Sequence, residues 1–169
     1  LFSGTLHAWR VQWPPWLFQA IHEVPKRWSI SPGELWAAWM SCVITRRATA
    51  QRGLFITNFT DNESARAAAT RGTSNSPQMR VIAEAIARWM AEEGVTMRTL
   101  RVTTKENQSA DDISREGGEA AAQELADHLG VPLIMHHVDA SLDATWELVS
   151  LAASSPEAAH RGGLDLNGS

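Results

Sequence analysis

The sequence contains a single cysteine, lacks any long apolar run and carries no secretion signal. With only Cys42 in 169 residues no internal disulfide can form, and a reducing compartment is the simpler expectation. No histidine nearby in the sequence is placed to activate Cys42, so we interpret it as a small buried hydrophobe and not as a nucleophile. No stretch approaches the roughly 18 apolar residues of a membrane span, and no basic segment followed by an apolar one marks export. We therefore expect an intracellular protein, cytoplasmic or nuclear, that is not secreted and does not enter a membrane.

The charge is unevenly distributed along a chain of otherwise ordinary composition. Hydrophobic residues make up 44% and charged residues 20%, which is typical of one soluble globular domain. Up to Arg115 there are 14 Lys and Arg against 10 Asp and Glu, whereas from Glu116 onward there is 1 against 9. A mildly basic body suits a polyanionic partner, while the acidic remainder does not.

The pattern of apolar residues and turn formers predicts an α/β protein. Its centre is the stretch from Leu54 to Asn62, a short apolar run that ends in Asp61 just before a helical segment. The preceding Ser31-Pro32-Gly33-Glu34 predicts a capping box at the start of a helix that runs to about Thr45. The other predicted elements are strands at 6–13, 16–24, 95–103 and 131–138, helices at 63–70, 77–93, 107–115, 119–129 and 141–153, and disorder over 154–169.

Tryptophans are concentrated in the first 28 residues, at Trp9, Trp13, Trp16 and Trp28. Such side chains can stack on nucleic-acid bases. Large aromatic side chains more often bury their area in a core, so packing is the favoured interpretation.

Three acids stand where elements meet: Glu34 in the first turn of a helix, Asp61 at a strand end and Asp111 at the start of a late helix. Each has a simple structural explanation, because acids cap helices and favour their N-termini. Clustered carboxylates are also what hard divalent cations need, and two-metal phosphodiester hydrolysis requires several of them on a rigid sheet. For each acid taken singly, capping is the favoured explanation; metal binding is favoured for the three together only through the resemblance described next.

The motifs around these acids resemble those of the ribonuclease H-like domains of retroelement reverse transcriptases. The resemblance rests on Glu34-Leu35-Trp36-Ala37 (E-L-x-A), on Thr60-Asp61-Asn62 followed by Ala65 (T-D-N), and on the stretch from Asn107 to Arg115 (N-x-x-A-D-x-L-S-R). The last motif is the most specific. Together they cover about residues 1–115, which we expect to form the domain, with 116–153 an appended helix-strand-helix unit and 154–169 a tail.

This resemblance implies a fold, an activity and a set of ligands. The fold would be a five-stranded mixed sheet flanked by helices. Glu34, Asp61 and Asp111 would hold two Mg²⁺ ions, with Mn²⁺ as a substitute and no small-molecule cofactor, to cut the RNA strand of an RNA/DNA hybrid. A polymerase domain of the same polyprotein would be a partner. Nucleic acid would be held by its shape and backbone, with these residues as the predicted contacts: Asn62, Arg46, Arg47, Arg52, Arg71 and Arg80. A solvated basic face is an equally good explanation of the arginines.

The chain departs from the family pattern at its first acid. The family's first strand carries an aspartate in a D-[AG]-S motif, yet no aspartate precedes Asp61. The central strand is therefore expected upstream of Leu1, and this fragment is expected to be inactive by itself. The segment before Asn107 also lacks the histidine that often assists product release.

A second source for the missing acid is the strand that ends in Asp139-Ala140-Ser141. In this hypothesis the strand fills the central position, as in a circular permutant, and Asp139 becomes the fourth ligand. The alternative is that Asp139 and Ser141 cap the last helix. A zinc site at His136 and His137 is disfavoured, because neighbouring strand residues point to opposite faces.

Two other functions remain open from the sequence. One is a non-catalytic protein of the same fold that positions nucleic acid or packs on a polymerase domain. The other is an integrase- or resolvase-like nuclease of the same fold that cuts DNA.

Overall fold

The computed structural model describes residues 4–25, 28–49, 53–115 and 117–154. Within these ranges the chain has an α/β structure, as predicted. The strands are β1 (Leu6–Gln12), β2 (Phe55–Thr60), β3 (Thr96–Arg101) and β4 (Leu133–Asp139). The helices are α1 (Pro15–Glu23), α2 (Ser31–Arg47), α3 (Glu63–Arg71), α4 (Pro77–Glu93), α5 (Gln108–Ser114), α6 (Gly118–Leu129) and α7 (Thr145–Ser154), with a 3-10 turn at Ala140–Leu142. Among the described helices, none has the length and apolarity needed to cross a membrane.

The strands form two separate parallel pairs. β1 pairs with β4, with Leu6 opposite Leu133, and β2 pairs with β3, with Phe55 opposite Thr96. The mixed sheet without its central strand, which the resemblance implies for this chain, is therefore represented in the described residues by two sheets of two strands each, both parallel and flanked by helices. Both pairs are parallel because helices connect their strands along the chain, as parallel pairing requires.

Helix α2 lies at the centre of the core. Its buried residues include Leu35, Trp36 and Trp39, and the rings of Trp36 and Trp146 lie 6.0 Å apart. The same core takes in these other tryptophans: Trp13, Trp16 and Trp28. Packing is thus confirmed as the role of these three, whereas Trp9 on β1 is half-buried and is not part of this cluster. The contact with Trp146 joins α7 to the same core as α2.

The early helix α1 corrects the prediction of an extended piece at 16–24. Pro15 occupies the first turn of α1, where a missing amide hydrogen costs nothing. Leu17 is buried in the core cluster, and Ala20 and Ile21 pack against it, as a helical spacing allows.

The later elements agree closely with the sequence. Helices α3, α4 and α6 end before Gly72, Gly94 and Gly130, which all have left-handed backbone conformations. The segment predicted to be disordered lies, from residue 155 onward, outside the described residues.

Candidate functional site

Each of the three predicted acids is placed by a different element. Glu34 lies in the first turn of α2, next in the chain to the buried Leu35 and Trp36, and is itself only partly buried. Asp61 directly follows the last residue of β2, and Asp111 lies in the first turn of α5. These positions agree with the sequence prediction.

One cleft of about 670 Å³ is lined by all three acids. Residues of β1 and of the end of β2 form two of its sides, and α2 and α5 supply most of the rest. The acids are 27 and 50 residues apart along the chain, so the fold, and not local sequence, brings them to one cavity.

Electrostatics show that these carboxylates interact. Burial, and then the negative charges of Asp61 and Asp111, raise the pKa of the Glu34 carboxyl above its usual value. Like charges that raise a pKa in this way are relieved when a cation binds between them. The site is therefore suited to positive charge.

The capping explanations fail for two of the acids. Ser31 is not the N-cap of α2, because Ile30 precedes the helix and no side chain caps it, so the predicted capping box with Glu34 is wrong. The N-cap of α3 is Asn62, whose Oδ1 accepts a hydrogen bond from the Ala65 amide at 3.0 Å. Asp61 is thereby left free of a capping role.

Asn62 also ties the two acidic elements together. Its Nδ2 donates to the Ser31 hydroxyl at 3.3 Å, which joins the end of β2 to the start of α2. This residue was predicted to contact nucleic acid. In the structure its side-chain oxygen accepts from the Ala65 amide and its side-chain nitrogen donates to Ser31, while contact with nucleic acid stays a prediction.

Asp111 has a competing partner. Arg115, one turn later in the chain, forms an ion pair and hydrogen bond with the Asp111 carboxylate. About two thirds of the Arg115 side chain is exposed, so the pair is screened by water and easily opened. Asp111 can therefore exchange Arg115 for another cation at little cost.

The three carboxylates are the right type of ligand for a hard divalent cation, but they do not lie close enough together to bind one ion without moving. Within the described parts of the chain, no three His, Cys, Asp or Glu side chains lie close enough together to hold one ion. Asp61 and Asp111 nevertheless both act electrostatically on Glu34, and carboxylate oxygens are the ligands that Mg²⁺ prefers. The residues that would hold it are Glu34, Asp61 and Asp111.

Asp139 does not join this site. β4 pairs with β1 and not with β2, and no residue of β4 lines the cleft. The Asp139 carboxylate instead accepts hydrogen bonds from the amide and hydroxyl of Ser141 at 2.9 and 2.5 Å. The permutant hypothesis is therefore wrong, and the local capping explanation describes Asp139, although it caps the 3-10 turn and Asp143 lies at the start of α7.

His136 and His137 point to different neighbours, as expected for adjacent strand residues. The Nε2 atom of His136 is 3.0 Å from Nδ1 of His7, whereas Nε2 of His137 is 3.8 Å from a carboxylate oxygen of Glu119. The two rings cannot share one metal ion, in agreement with the low weight given to a zinc site.

The four predicted arginines that the structure describes lie outside the cleft, and Arg52 is not among the described residues. Arg46 is 3.3 Å from the Glu93 carboxylate, and Arg80 donates to the Ser74 carbonyl. Arg47 and Arg71 are exposed. Arg101 ends β3 opposite Thr60, the residue before Asp61, and Arg71 is the last residue of α3, the helix that follows Asp61.

Arg10 is the basic residue that the sequence reasoning missed. It lies on β1 and lines the cleft together with the three acids. Its place in a strand with alternating residues was the available signal, but the strand's partner could not be deduced from the sequence.

Cys42 is fully buried, and burial raises the pKa of its thiol to about 11. It is therefore an inert part of the core, as predicted.

Comparisons of the chain with protein-family models, with curated proteins and with solved structures found no match.

Proposed function

We propose that this chain supplies part of the active site of a ribonuclease H-like domain of a retroelement reverse transcriptase. The domain would hydrolyse the RNA strand of an RNA/DNA hybrid. The observation that carries the proposal is the convergence of Glu34, Asp61 and Asp111 on one cleft, where two of the acids raise the pKa of the third. The ordered motifs around the same three residues support it.

In this proposal the three acids are metal ligands. Glu34, Asp61 and Asp111 would hold two Mg²⁺ ions, which Mn²⁺ replaces. The ions when bound supply an activated water and stabilise the charge on the leaving oxygen. Asn62, next to Asp61, would act as a positioning residue, because its bonds to Ala65 and Ser31 connect the end of β2 with the starts of α3 and α2.

The basic residues around the cleft would hold the phosphate backbone. Arg10 lines the cleft, Arg101 lies opposite Thr60 next to Asp61, and Arg71 ends the helix that follows Asp61. Arg46 is a weaker candidate, because its ion pair with Glu93 must open first. A hybrid bound in this way would be selected by shape and by backbone charge and not by base sequence.

A test of the proposal is Mn²⁺ binding, followed by calorimetry or by the electron paramagnetic resonance of the free ion. Glu34→Gln, Asp61→Asn and Asp111→Asn should each weaken binding about tenfold or more, because each removes a charged ligand. Asp112→Asn is the matched control, since Asp112 is exposed, does not line the cleft and hydrogen-bonds Gln108. Equal binding by all five proteins would refute the proposal.

Cleavage is the second measurement. A labelled RNA/DNA hybrid and a DNA duplex of the same sequence are incubated with the chain and Mg²⁺ or Mn²⁺. Cleavage by this chain alone is expected to be weak or absent, because losing one ligand of a two-metal site unbalances both ions. Any cleavage should favour the hybrid and be abolished by Asp61→Asn, whereas cleavage of the DNA duplex alone would favour an integrase- or resolvase-like nuclease.

A non-catalytic scaffold is the second candidate, and one observation favours it. In the described residues the acids are not drawn together closely enough to hold an ion as they stand. A scaffold of this kind would bind the hybrid, or a polymerase domain of the same polyprotein, with an affinity that Asp61→Asn does not reduce.

A further inference from the structure

Strand β2 has one face that the core does not cover. Phe55, Thr57 and Phe59 are exposed, whereas the residues between them are partly buried and Thr60 is buried. Successive strand residues point to opposite faces, so the three exposed side chains share one side of the sheet. Phe55 is 62% exposed and Phe59 55%. Two large aromatic rings are therefore left in solvent on the same side.

Strand β3 adds a positive charge to this side of the sheet. Arg98 is exposed and lies opposite Thr57 in the parallel register, midway between the two rings. Thr96 and Leu100, the other residues of β3 on this side, carry no charge. Neither β2 nor β3 contains an acidic residue, and Arg101 adds a second exposed cation where β3 ends. We call this surface the aromatic face, and its members are Phe55, Thr57, Phe59, Thr96, Arg98 and Leu100.

One end of the aromatic face borders the acidic cleft. Phe59 and Asp61 both line that cleft, whereas Phe55 does not and lies at the far end of the face. Four residues of extended chain separate the α-carbons of the two phenylalanines by about 13 Å. A ligand that leaves the cleft along β2 therefore meets first one ring and then the other, with Arg98 between them.

Exposed aromatic rings beside an arginine are suited to unpaired nucleic-acid bases and the phosphates that join them. In a duplex each base stacks on its neighbours, at a rise of about 3.4 Å, and only the ends offer a free ring face. Two rings about 13 Å apart thus suit the bases of a single strand. An apolar surface alone would also fit a protein, but the exposed Arg98 and the lack of acids in both strands favour a polyanion.

We propose that the aromatic face binds single-stranded nucleic acid, with bases stacked on Phe55 and Phe59 and Arg98 on a phosphate between them. This site is separate from the three acids and needs no metal ion. An RNA/DNA hybrid in the cleft would continue onto the face as an unpaired strand. That connection rests on the proposed function, whereas the binding of a single strand does not.

The test measures the binding of a fluorescently labelled oligothymidine to the full chain by anisotropy, at low salt and in EDTA. Phe55→Ala and Phe59→Ala should each weaken binding about tenfold, because each removes one stacking partner. Phe18→Ala is the matched control: Phe18 is 56% exposed on α1, and its loss should leave binding unchanged. All three substitutions remove an exposed ring, and thermal unfolding checks that each variant is folded.

Two further measurements separate stacking from charge. An abasic oligonucleotide of the same length keeps its phosphates but has no bases, so it should bind more weakly and should not distinguish Phe55→Ala from the unchanged protein. Arg98→Gln should reduce the slope of log affinity against log salt concentration by about 0.7, the value for one phosphate contact to a single strand. Arg88→Gln, exposed on α4, should leave that slope unchanged.

Three results would overturn the inference. These are no binding of oligothymidine by the folded chain, equal binding of the abasic oligonucleotide, and a loss after Phe18→Ala as large as that after Phe55→Ala. The first result would leave the aromatic face to a protein partner. None of these readouts involves metal or cleavage, so a failure here is distinct from a failure of the proposed nuclease function, which Mn²⁺ binding and hybrid cleavage test.

Discussion

The side chain of Glu34 experiences two unfavourable conditions at neutral pH. It is half-buried, and two other carboxylates act on it from across the cleft. Both effects raise its pKa in the folded protein, while the unfolded chain keeps the ordinary value. The folded state is thereby penalised once Glu34 ionises.

We therefore expect Glu34→Gln to stabilise the protein at pH 7 in the absence of divalent cations. A raised folded pKa contributes stability that is present below the unfolded pKa and lost as pH rises through the folded pKa. The difference in free energy of unfolding between the two proteins should accordingly shrink as pH falls through the raised pKa of Glu34 and should be lost below its ordinary value of about 4.5. Denaturant titrations at pH 4 and pH 7 measure it, and a gain that is the same at both pH values would contradict this account.

Asp143 holds the buried indole of Trp36. The Trp36 Nε1 atom donates to Asp143 Oδ2 at 2.8 Å, and the other carboxylate oxygen accepts from the Thr145 amide. Asp143→Ala leaves a buried donor unsatisfied and removes the bond at the start of α7, and we expect a cost of about 1–3 kcal/mol. Asp139→Ala is the comparison, because its bonds are local and exposed, and it should cost less in the same chemical denaturation experiment.

At the scale of residues the sequence predicted types and positions but not contacts. The three acids were found by motif and spacing, and they share one cleft. The helix caps were not predictable: the sequence suggested Ser31 as the cap of α2 and Asp61 as the cap of α3. In the structure Asn62 caps α3, and Ser31 accepts a hydrogen bond from Asn62. Arg10 was missed because only the fold shows which strand edge faces the acids.

The contact between α5 and α6 fixes the position of Asp111. Gly118 begins α6, and a Cβ atom there would lie 1.8 Å from the Ile113 carbonyl oxygen. No rotamer change relieves a clash with backbone, so any side chain at this position must push α5 away. The close approach of the two helices therefore depends on glycine.

Gly118→Ala should cost about 1–3 kcal/mol and weaken Mn²⁺ binding by moving Asp111. The neighbouring Gly117→Ala is the control: its positive φ makes alanine strained, but no atom lies within 4 Å of the added Cβ. Thermal unfolding and Mn²⁺ titration should both separate the two variants. A Gly118→Ala protein no less stable than Gly117→Ala would show that the helices can part freely.

The pairing of β1 with β4 includes a histidine pair that is sensitive to pH. The rings of His7 and His136 are stacked, with ring nitrogens 3.0 Å apart, which requires one nitrogen to accept. Burial, and then the charge of His7, lower the pKa of His136. Its contribution is present above the unfolded pKa of about 6.5 and is lost as pH falls through the folded value.

We accordingly expect the β4 amides to lose protection between pH 7 and pH 5, where protection is the intrinsic exchange rate divided by the observed rate at the same pH. His136→Phe keeps a flat ring but does not titrate, so its β4 amides should follow the intrinsic dependence alone. Strands β2 and β3 serve as the internal reference, because neither contains a histidine. Equal acceleration in both strand pairs would assign the effect to the whole fold.

At the scale of elements, local sequence signals predicted where helices begin and end but not which strands pair. The extents of α4 and α6 followed from apolar spacing and the glycines after them, while the region after Trp16 was misjudged because its aromatics suit a strand as well as a helix. Strand partners depend on contacts between residues more than a hundred positions apart, such as Leu6 and Leu133. Nothing in a single sequence specifies those contacts, so the division into two sheets could not be predicted.

For the whole molecule the central question is whether residues 117–154 unfold with the rest. Trp146 is 2% exposed and its ring contacts those of Trp13, Trp16 and Trp36. β4 is paired with β1 along its full length. Both connections cross from the acidic end of the chain to its beginning, so we expect one cooperative unfolding transition.

Trp146→Ala tests this coupling, because it removes a large side chain from the shared tryptophan cluster. We expect a loss of about 3–5 kcal/mol, the cost typical of deleting a buried aromatic, and amide exchange should accelerate in α2 and α4 as well as in α7. Leu148→Ala in the same helix is the matched control, since Leu148 is 55% exposed and should cost little. If the faster exchange after Trp146→Ala were confined to α7, with α2 and α4 unchanged, the helix would be an accessory to the core, and the position of β1 beside the acidic cleft would have to be maintained by β4 alone.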